Sequence, residues 1–208
     1  WLQNHMRLDS GLYGSSTDAD TPEGEGYYYT IKKTDEKKII QLFCLNHCGI
    51  HNGQFVPWIN FDYFKHNEIE SKKIVNDYKK LRKKLQKPAL DNKSIMSWNC
   101  FLGYSLLHCG EALNDKDMIK AALELFESIN AYHVKEKIYH VVYDQEPFES
   151  QEYLEDYAAY LLFLSELVKV KPILTKRILE LIKKIKKKFI IQNNLRNTTN
   201  IAFDNFSL

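Results

Sequence analysis

Hydrophobic positions along this chain fall into two kinds of segment. In the first kind they recur on one side only. From Ile69 to Leu85 the residues Ile74, Tyr78, Leu81 and Leu85 are spaced four, three and four apart among Lys and Glu, which predicts a helix that buries one narrow face. Asp117 to Asn130 repeats the pattern with Ile119, Leu123, Phe126 and Ile129, and Pro172 to Phe189 with Ile178, Leu181, Ile182 and Ile185 opposite Lys183, Lys184 and Lys186 to Lys188. In the second kind, Ile95 to Leu113 is apolar on every face and Tyr153 to Val168 on most. Such helices are predicted to be buried all round.

The remaining segments are shorter. Residues 1 to 8 read as the end of a helix, and the Gly, Ser, Thr and Asp density from Gly11 to Gly26 predicts loop. Tyr27 to Ile31 reads as a short strand, a helix is predicted to start near Thr34, and Gly49 to Pro57 returns to loop. Lys137 to Tyr143 alternates like a strand, with His140 on the face of Ile138 and Val142.

The second half therefore runs inside helix, outside helix, short strand, inside helix, outside helix. Trp98 and Asp156 open successive inside helices roughly sixty residues apart, a period expected of stacked helical hairpins. A hairpin cannot bury both faces of its inside helix alone, so copies must stack or close into a ring. The expected fold is all-α: one domain over 1–208, part of an (α/α)6 toroid of helical hairpins with short β-hairpins.

Three polar and aromatic clusters sit at the openings of hydrophobic segments: Ser16 to Asp20, Asp91 to Asn99 and Tyr153 to Tyr157. Asp, Ser and Asn at helix starts cap free N–H groups. At one end of a ring of inside helices, the same residues would also line a pocket.

Composition narrows the partners. Lys and Arg number 29 against 27 Asp and Glu, so no global field attracts nucleic acid or acidic membranes. The lysine runs from Lys79 to Lys87 and from Lys183 to Lys188 fall on outside helices, where lysine is the ordinary solvated residue. The longest uncharged run, Ser94 to Gly110, is 17 residues and contains Asn99 and His108, short of the ~20 apolar residues of a spanning helix. No signal pattern opens the chain and four cysteines make no disulfide framework, so a cytoplasmic setting is expected. Cys44, His47, Cys48 and His51 have the residue types of a zinc set but span only eight residues. Two separated ligand pairs are the usual arrangement, and Cys44 and Cys48 are read as small core residues, with no metal or cofactor expected.

The ordered segments GLYGSSTDAD, GEGYYYT, KPALDNKSIMSWN and YLEDYA, spread over roughly residues 10 to 165, resemble the family of spermatogenesis-associated protein 20 and its YyaL-like bacterial relatives. The resemblance implies a long protein with a thioredoxin-like domain followed by an (α/α)6 barrel related to six-hairpin glycosidases and N-acylglucosamine 2-epimerases. This chain would then be a barrel fragment without the thioredoxin-like domain. It departs from the family where D-D-K becomes Asp91, Asn92 and Lys93, where S-W-N-G becomes Ser97, Trp98, Asn99 and Cys100, and where G-N-F-E becomes Gly53, Gln54, Phe55 and Val56. No C-x-x-C is present to carry redox chemistry.

A sugar site needs a proton donor and a base or nucleophile, usually paired carboxylates. Asp20 and Asp156 are the expected acid and base, with His140 a proton shuttle for epimerisation because imidazole titrates near neutrality. Asp18, Asp91 and Glu155 are further carboxylates. Trp98, Tyr28 and Tyr157 would offer ring faces to a sugar, and Lys93 and Asn99 hydrogen bonds to its hydroxyls. The expected function is glycoside hydrolase or sugar epimerase, with a sugar-like small molecule as partner. The alternatives are a non-catalytic binding or scaffold barrel attached to a thioredoxin-like domain, and a fragment inactive alone because an open ring exposes apolar edges.

Overall fold

The computed structural model describes residues 2–32, 34, 36–47, 49–51 and 53–199. They are mostly helical, with small antiparallel sheets. The helices are α1 (Leu2–His5), α2 (Lys37–Leu42), α3 (Phe61–His66), α4 (Glu68–Arg82), α5 (Met96–Leu113), α6 (Lys116–Tyr132), α7 (Leu154–Leu167) and α8 (Thr175–Phe189). The strands are β1 (Ser16–Thr17), β2 (Ile50–His51), β3 (Gln54–Phe55), β4 (Leu90–Asp91), β5 (Ser94–Ile95), β6 (Val141–Tyr143), β7 (Glu146–Phe148), β8 (Ile190–Ile191) and β9 (Asn194–Leu195). The chain divides into two compact units, one of residues 1–16 and 91–208 and one of residues 17–90. Among the described residues no helix is long and apolar enough to cross a membrane.

The larger unit is built on two helical hairpins, α5 with α6 and α7 with α8. Helices α5 and α7 pack side by side and run parallel. At their starts the Ser97 N–H donates to Asp156 at 3.2 Å, and near their ends His108 Nδ1 lies 3.3 Å from Glu166. Between these contacts, a Cβ added at Gly103 would come within 2.4 Å of the Phe163 ring. Gly103 thus lets a buried phenylalanine lie directly on the backbone of α5. Asp115 caps α6 by accepting from the N–H groups of Asp117 and Met118 at 2.9 and 3.1 Å. The core between the helices holds Met96, Cys100, Leu107, Leu125, Phe126, Ile129, Tyr160, Phe163, Leu164 and Leu167.

A three-stranded antiparallel sheet covers the starts of α5 and α7. Strand β5 leads into α5, with Ser94 opposite Val142, and the β6–β7 hairpin pairs Val141 with Phe148 and Tyr143 with Glu146. Its two-residue turn, Asp144 and Gln145, has φ of 48° and 69°, the left-handed pair that matches strand twist in a tight hairpin.

The smaller unit closes on its own cluster of Ile31, Ile39, Leu42, Phe43 and Leu45, against which Phe55, Tyr63, Ile74 and Tyr78 pack. Helix α4 contributes Ile74 and Tyr78 to that face and is otherwise largely exposed; of the expected stripe, Leu81 is 56% exposed and Leu85 lies beyond the helix, which ends at Arg82.

Several expectations change. The segments read as loop carry short strands, β1 within Gly11 to Gly26 and the β2–β3 pair, with Ile50 opposite Phe55, within Gly49 to Pro57. Tyr27 to Ile31 is not a strand. It opens with a 3-10 turn, Tyr27–Tyr29, entered through Gly26 at φ 74°, and only Ile31 pairs, with Phe55. The helix expected from Thr34 starts at Lys37, while the Thr34 hydroxyl accepts from the Glu36 N–H at 3.2 Å. Helix α5 is not buried all round: Trp98, Phe101 and Leu113 are exposed while Met96, Cys100, Gly103 and Leu107 are buried. The hydrophobic run is continuous, but helix and sheet neighbours in this unit cover only part of its circumference. Cys48, half of the cysteine pair weighed for zinc, lies outside the described residues.

Candidate functional site

The first turns of helices α5 and α7 lack side-chain caps of their own, leaving N–H groups that need acceptors. Asp156, in the first turn of α7, supplies one across the helix interface. Its side chain is 1% exposed; Oδ1 accepts from Ser97 N–H, and the two carboxylate oxygens lie 3.1 and 2.8 Å from His140 Nδ1. The carboxylate sits where two helix N-termini converge, which suits a negative charge.

His140 is positioned from the other side. It immediately precedes β6, its carbonyl accepts from the Met96 N–H at 2.8 Å, and its ring lies 4.6 Å from that of Tyr153. Because the carboxylate accepts, Nδ1 carries the proton, and Nε2 is the lone-pair nitrogen of the neutral ring. The side chain is 28% exposed, and among the described residues Nε2 has no hydrogen-bond partner. The Asp156 hydrogen bond raises the His140 pKa above its ordinary value, outweighing partial burial, with further help from Asp156 and Glu155 charge. The result is an oriented imidazole backed by a buried carboxylate, the arrangement that fixes a histidine tautomer for proton transfer.

Below it lies a second histidine with a different role. His133 is fully buried; Nδ1 faces the Tyr139 carbonyl at 2.8 Å and Nε2 the Ser94 hydroxyl at 3.0 Å. Since a carbonyl only accepts, Nδ1 donates and Nε2 accepts from Ser94. Burial drives the His133 pKa down to about 4, so this ring is neutral. Ser94 in turn accepts from Asn99 Nδ2 at 3.0 Å, which also reaches the carbonyls of Tyr13 and Ile95, while Asn99 Oδ1 accepts from the Tyr13 N–H at 2.8 Å. This network ties the segment around Tyr13 to α5 and leaves no Asn99 amide hydrogen for a ligand.

The other expected residues are placed as follows. Trp98 is 53% exposed on the first turn of α5, and Glu155 is exposed on α7 beside Asp156. Tyr157 is buried; its hydroxyl donates to Glu152, which also takes Lys188 at 2.5 and 2.6 Å. Asp91 turns on itself: Oδ1 accepts from the Lys93 N–H at 3.0 Å and Oδ2 lies 3.3 Å from Lys93 Nζ. The Lys93 backbone bond holds that carboxyl below its usual range. Asp18, Asp20 and Tyr28 belong to the smaller unit. There Asp18 accepts from the Asp20 N–H at 3.1 Å, Asp20 is exposed, and the Arg82 guanidinium lies over the Tyr28 ring at 5.5 Å.

Sequence reasoning missed Ser94, His133, Glu152 and Lys188. Glu152 and Lys188 meet across 36 positions, with no periodicity to announce the pair. A clue to His133 was available: a histidine in the last turn of an apolar helix face, four residues after Ile129.

No protein-family model matches the chain, and no curated protein matches it.

Proposed function

We propose that the larger unit belongs to a toroid of helical hairpins of the kind implied by the resemblance to the YyaL-like family. Its site at the starts of α5 and α7 performs proton transfer on a sugar-like substrate. The carrying observation is the His140–Asp156 pair: Nδ1 held by a buried carboxylate, Nε2 without a hydrogen-bond partner among the described residues, and an exposed Trp98 on the adjoining helical turn. Epimerisation suits this arrangement better than glycoside hydrolysis. A buried Asp156 bound to Ser97 and His140 is a poor direct proton donor, whereas Nε2 can take a proton from a carbon next to a carbonyl to leave an enolate, and a solvent water on the opposite face supplies the proton that completes the inversion. Asp156 is then a positioning residue, and the Trp98 indole offers an apolar face to the ring or chain of the sugar.

The test is deuterium incorporation at the acidic carbon of reducing sugars and N-acetylated hexosamines, followed by NMR in heavy water. Exchange is expected with the wild type, with a loss of at least 100-fold in His140→Gln and a smaller loss in Trp98→Ala through weaker binding. Sugar binding without exchange would establish the alternative of a non-catalytic binding module. Exchange that survives His140→Gln would overturn the assignment of the base.

A further inference from the structure

The smaller unit contains a separate cavity of about 640 Å³, within the size range of small-molecule sites. Its walls are the tyrosine-rich turn at Tyr27, the loop carrying Trp58 and the exposed flank of α4. Backbone pairing of Ile31 with Phe55 and a Trp58 N–H bond to the Phe43 carbonyl at 3.4 Å hold these segments together. The floor is aromatic, with Phe43 edge-on to Tyr78 at 5.2 Å.

Two features of the lining select a ligand. First, among the described residues its lining contains Lys32, Lys79, Arg82 and Lys84 but no Asp or Glu. On the same helix α4, Lys72 pairs with Glu68 and Lys80 with Asp77. The cations turned to the cavity have no ion pair with a carboxylate among the described residues. A concave surface with cations and no acids concentrates anions. Second, two of these cations already rest on rings, Arg82 over Tyr28 and Lys32 over Tyr27 at 5.6 Å, whereas the Trp58 indole is 56% exposed. An exposed indole beside unpaired cations offers a stacking face and a counter-charge together.

We propose that this cavity binds a phosphorylated planar ring of mononucleotide size, with the ring on Trp58 and the phosphate among the cations of α4. The site uses only residues of the smaller unit and is independent of the sugar chemistry above.

Calorimetric titration of the whole chain tests it, with adenosine 5′-monophosphate as the probe and adenosine and inorganic phosphate as separate arms. The monophosphate is expected to bind saturably, at least tenfold tighter than either part, and to weaken between 50 and 300 mM salt. Lys79 and Arg82 are exposed, so a Lys79→Gln/Arg82→Gln double variant keeps its fold and is expected to bind the monophosphate at least tenfold more weakly. Trp58→Ala is expected to lower affinity for the monophosphate and leave the salt dependence in place. Absence of saturable heat, equal affinity for adenosine, or full affinity in the double variant would overturn the proposal. So would tighter binding of oligothymidylate per nucleotide, which would assign the surface to a nucleic-acid strand.

Discussion

The two ends of the α5/α7 pair carry the same ingredients, a histidine and a buried α7 carboxylate, and put them to different use. At the N-terminal end His140 faces Asp156; at the C-terminal end His108 faces Glu166, whose side chain is 7% exposed. The helix field favours a carboxylate at the first end and opposes one at the second. Glu166 is accordingly held by a cation: Lys169 donates to it one turn on, and the His108 imidazole, stacked on Tyr104 at 5.6 Å, is its second partner. Burial pushes the Glu166 carboxyl up, but Lys169 and His108 outweigh it and leave it below its usual range. Asp156 has no Lys or Arg partner among the described residues, and its charge is left to act on His140. A buried carboxylate shared with a lysine makes a clamp, while one committed to a single imidazole makes a poised base.

The largest test removes each carboxylate in turn. Asp156→Ala strips His140 of its partner and leaves the Ser97 N–H buried without an acceptor, so a loss of about 3 kcal/mol is expected in urea unfolding. Glu166→Ala releases Lys169 and His108, which are 53% and 57% exposed and can turn to water. About 1 kcal/mol is expected there. Equal costs would dissolve the distinction between the two ends.

Gly103 lies between them. Gly103→Ala drives a methyl against the fully buried Phe163 ring, and about 2 kcal/mol is expected from the forced separation of α5 and α7. Hydrogen exchange sharpens the comparison: the Ser97 amide, bound across the interface to Asp156, is expected to lose protection, whereas amides within the middle of α5 keep theirs.

Much of this pair was legible in the sequence because local periodicity carries it. The interval of roughly sixty residues between Trp98 and Asp156 reappears as the parallel contact of α5 and α7, and the spacing of Ile178, Leu181, Ile182 and Ile185 reappears as the covered face of α8. The capping question raised by the acidic clusters had an answer no single helix contains: Asp156 does cap, but it caps α5 from α7. What sequence could not give was the long-range partnering of buried polar groups. Asn99 with Tyr13, Ser94 with His133 and Glu152 with Lys188 are joined across 86, 39 and 36 positions, and no periodicity encodes such meetings. The strand expected at Tyr27 failed for a local reason, since Gly26 at positive φ turns the chain before pairing can begin.

A smaller effect is expected from pH. His140 titrates higher in the folded chain than its ordinary value of ~6.5, so its bond to Asp156 contributes fully below about pH 6.5 and is lost as pH rises through the folded pKa. His133, held down near 4, has the opposite sign and destabilises the fold as pH falls from about 6.5 toward 4. Asp156→Asn retains His133, so the difference in stability between wild type and this variant isolates the first term. It is expected to be largest near pH 6 and smaller at pH 8, and the His140 resonances should titrate at lower pH in the variant. A margin unchanged between pH 6 and pH 8 would mean that Asp156 supports the fold through Ser97 alone.

The smallest expected effect belongs to Lys169. Its ammonium donates to Glu166 and lies 4.0 Å from Glu111, yet half of the side chain is in water. Lys169→Gln keeps most of the stem and a donor, so the change in stability is expected to stay below about 0.5 kcal/mol, shrinking further between 0.05 and 0.5 M salt. The informative outcome is at His108. With Lys169 gone, Glu166 is left with one imidazole, as Asp156 is, and if the lysine sets the difference between the two ends, His108 should respond to Glu166→Gln more strongly in the Lys169→Gln background than in the wild type. Histidine chemical shifts across a double-mutant cycle measure that coupling. No coupling would place the difference in the helix field alone, with Lys169 a bystander.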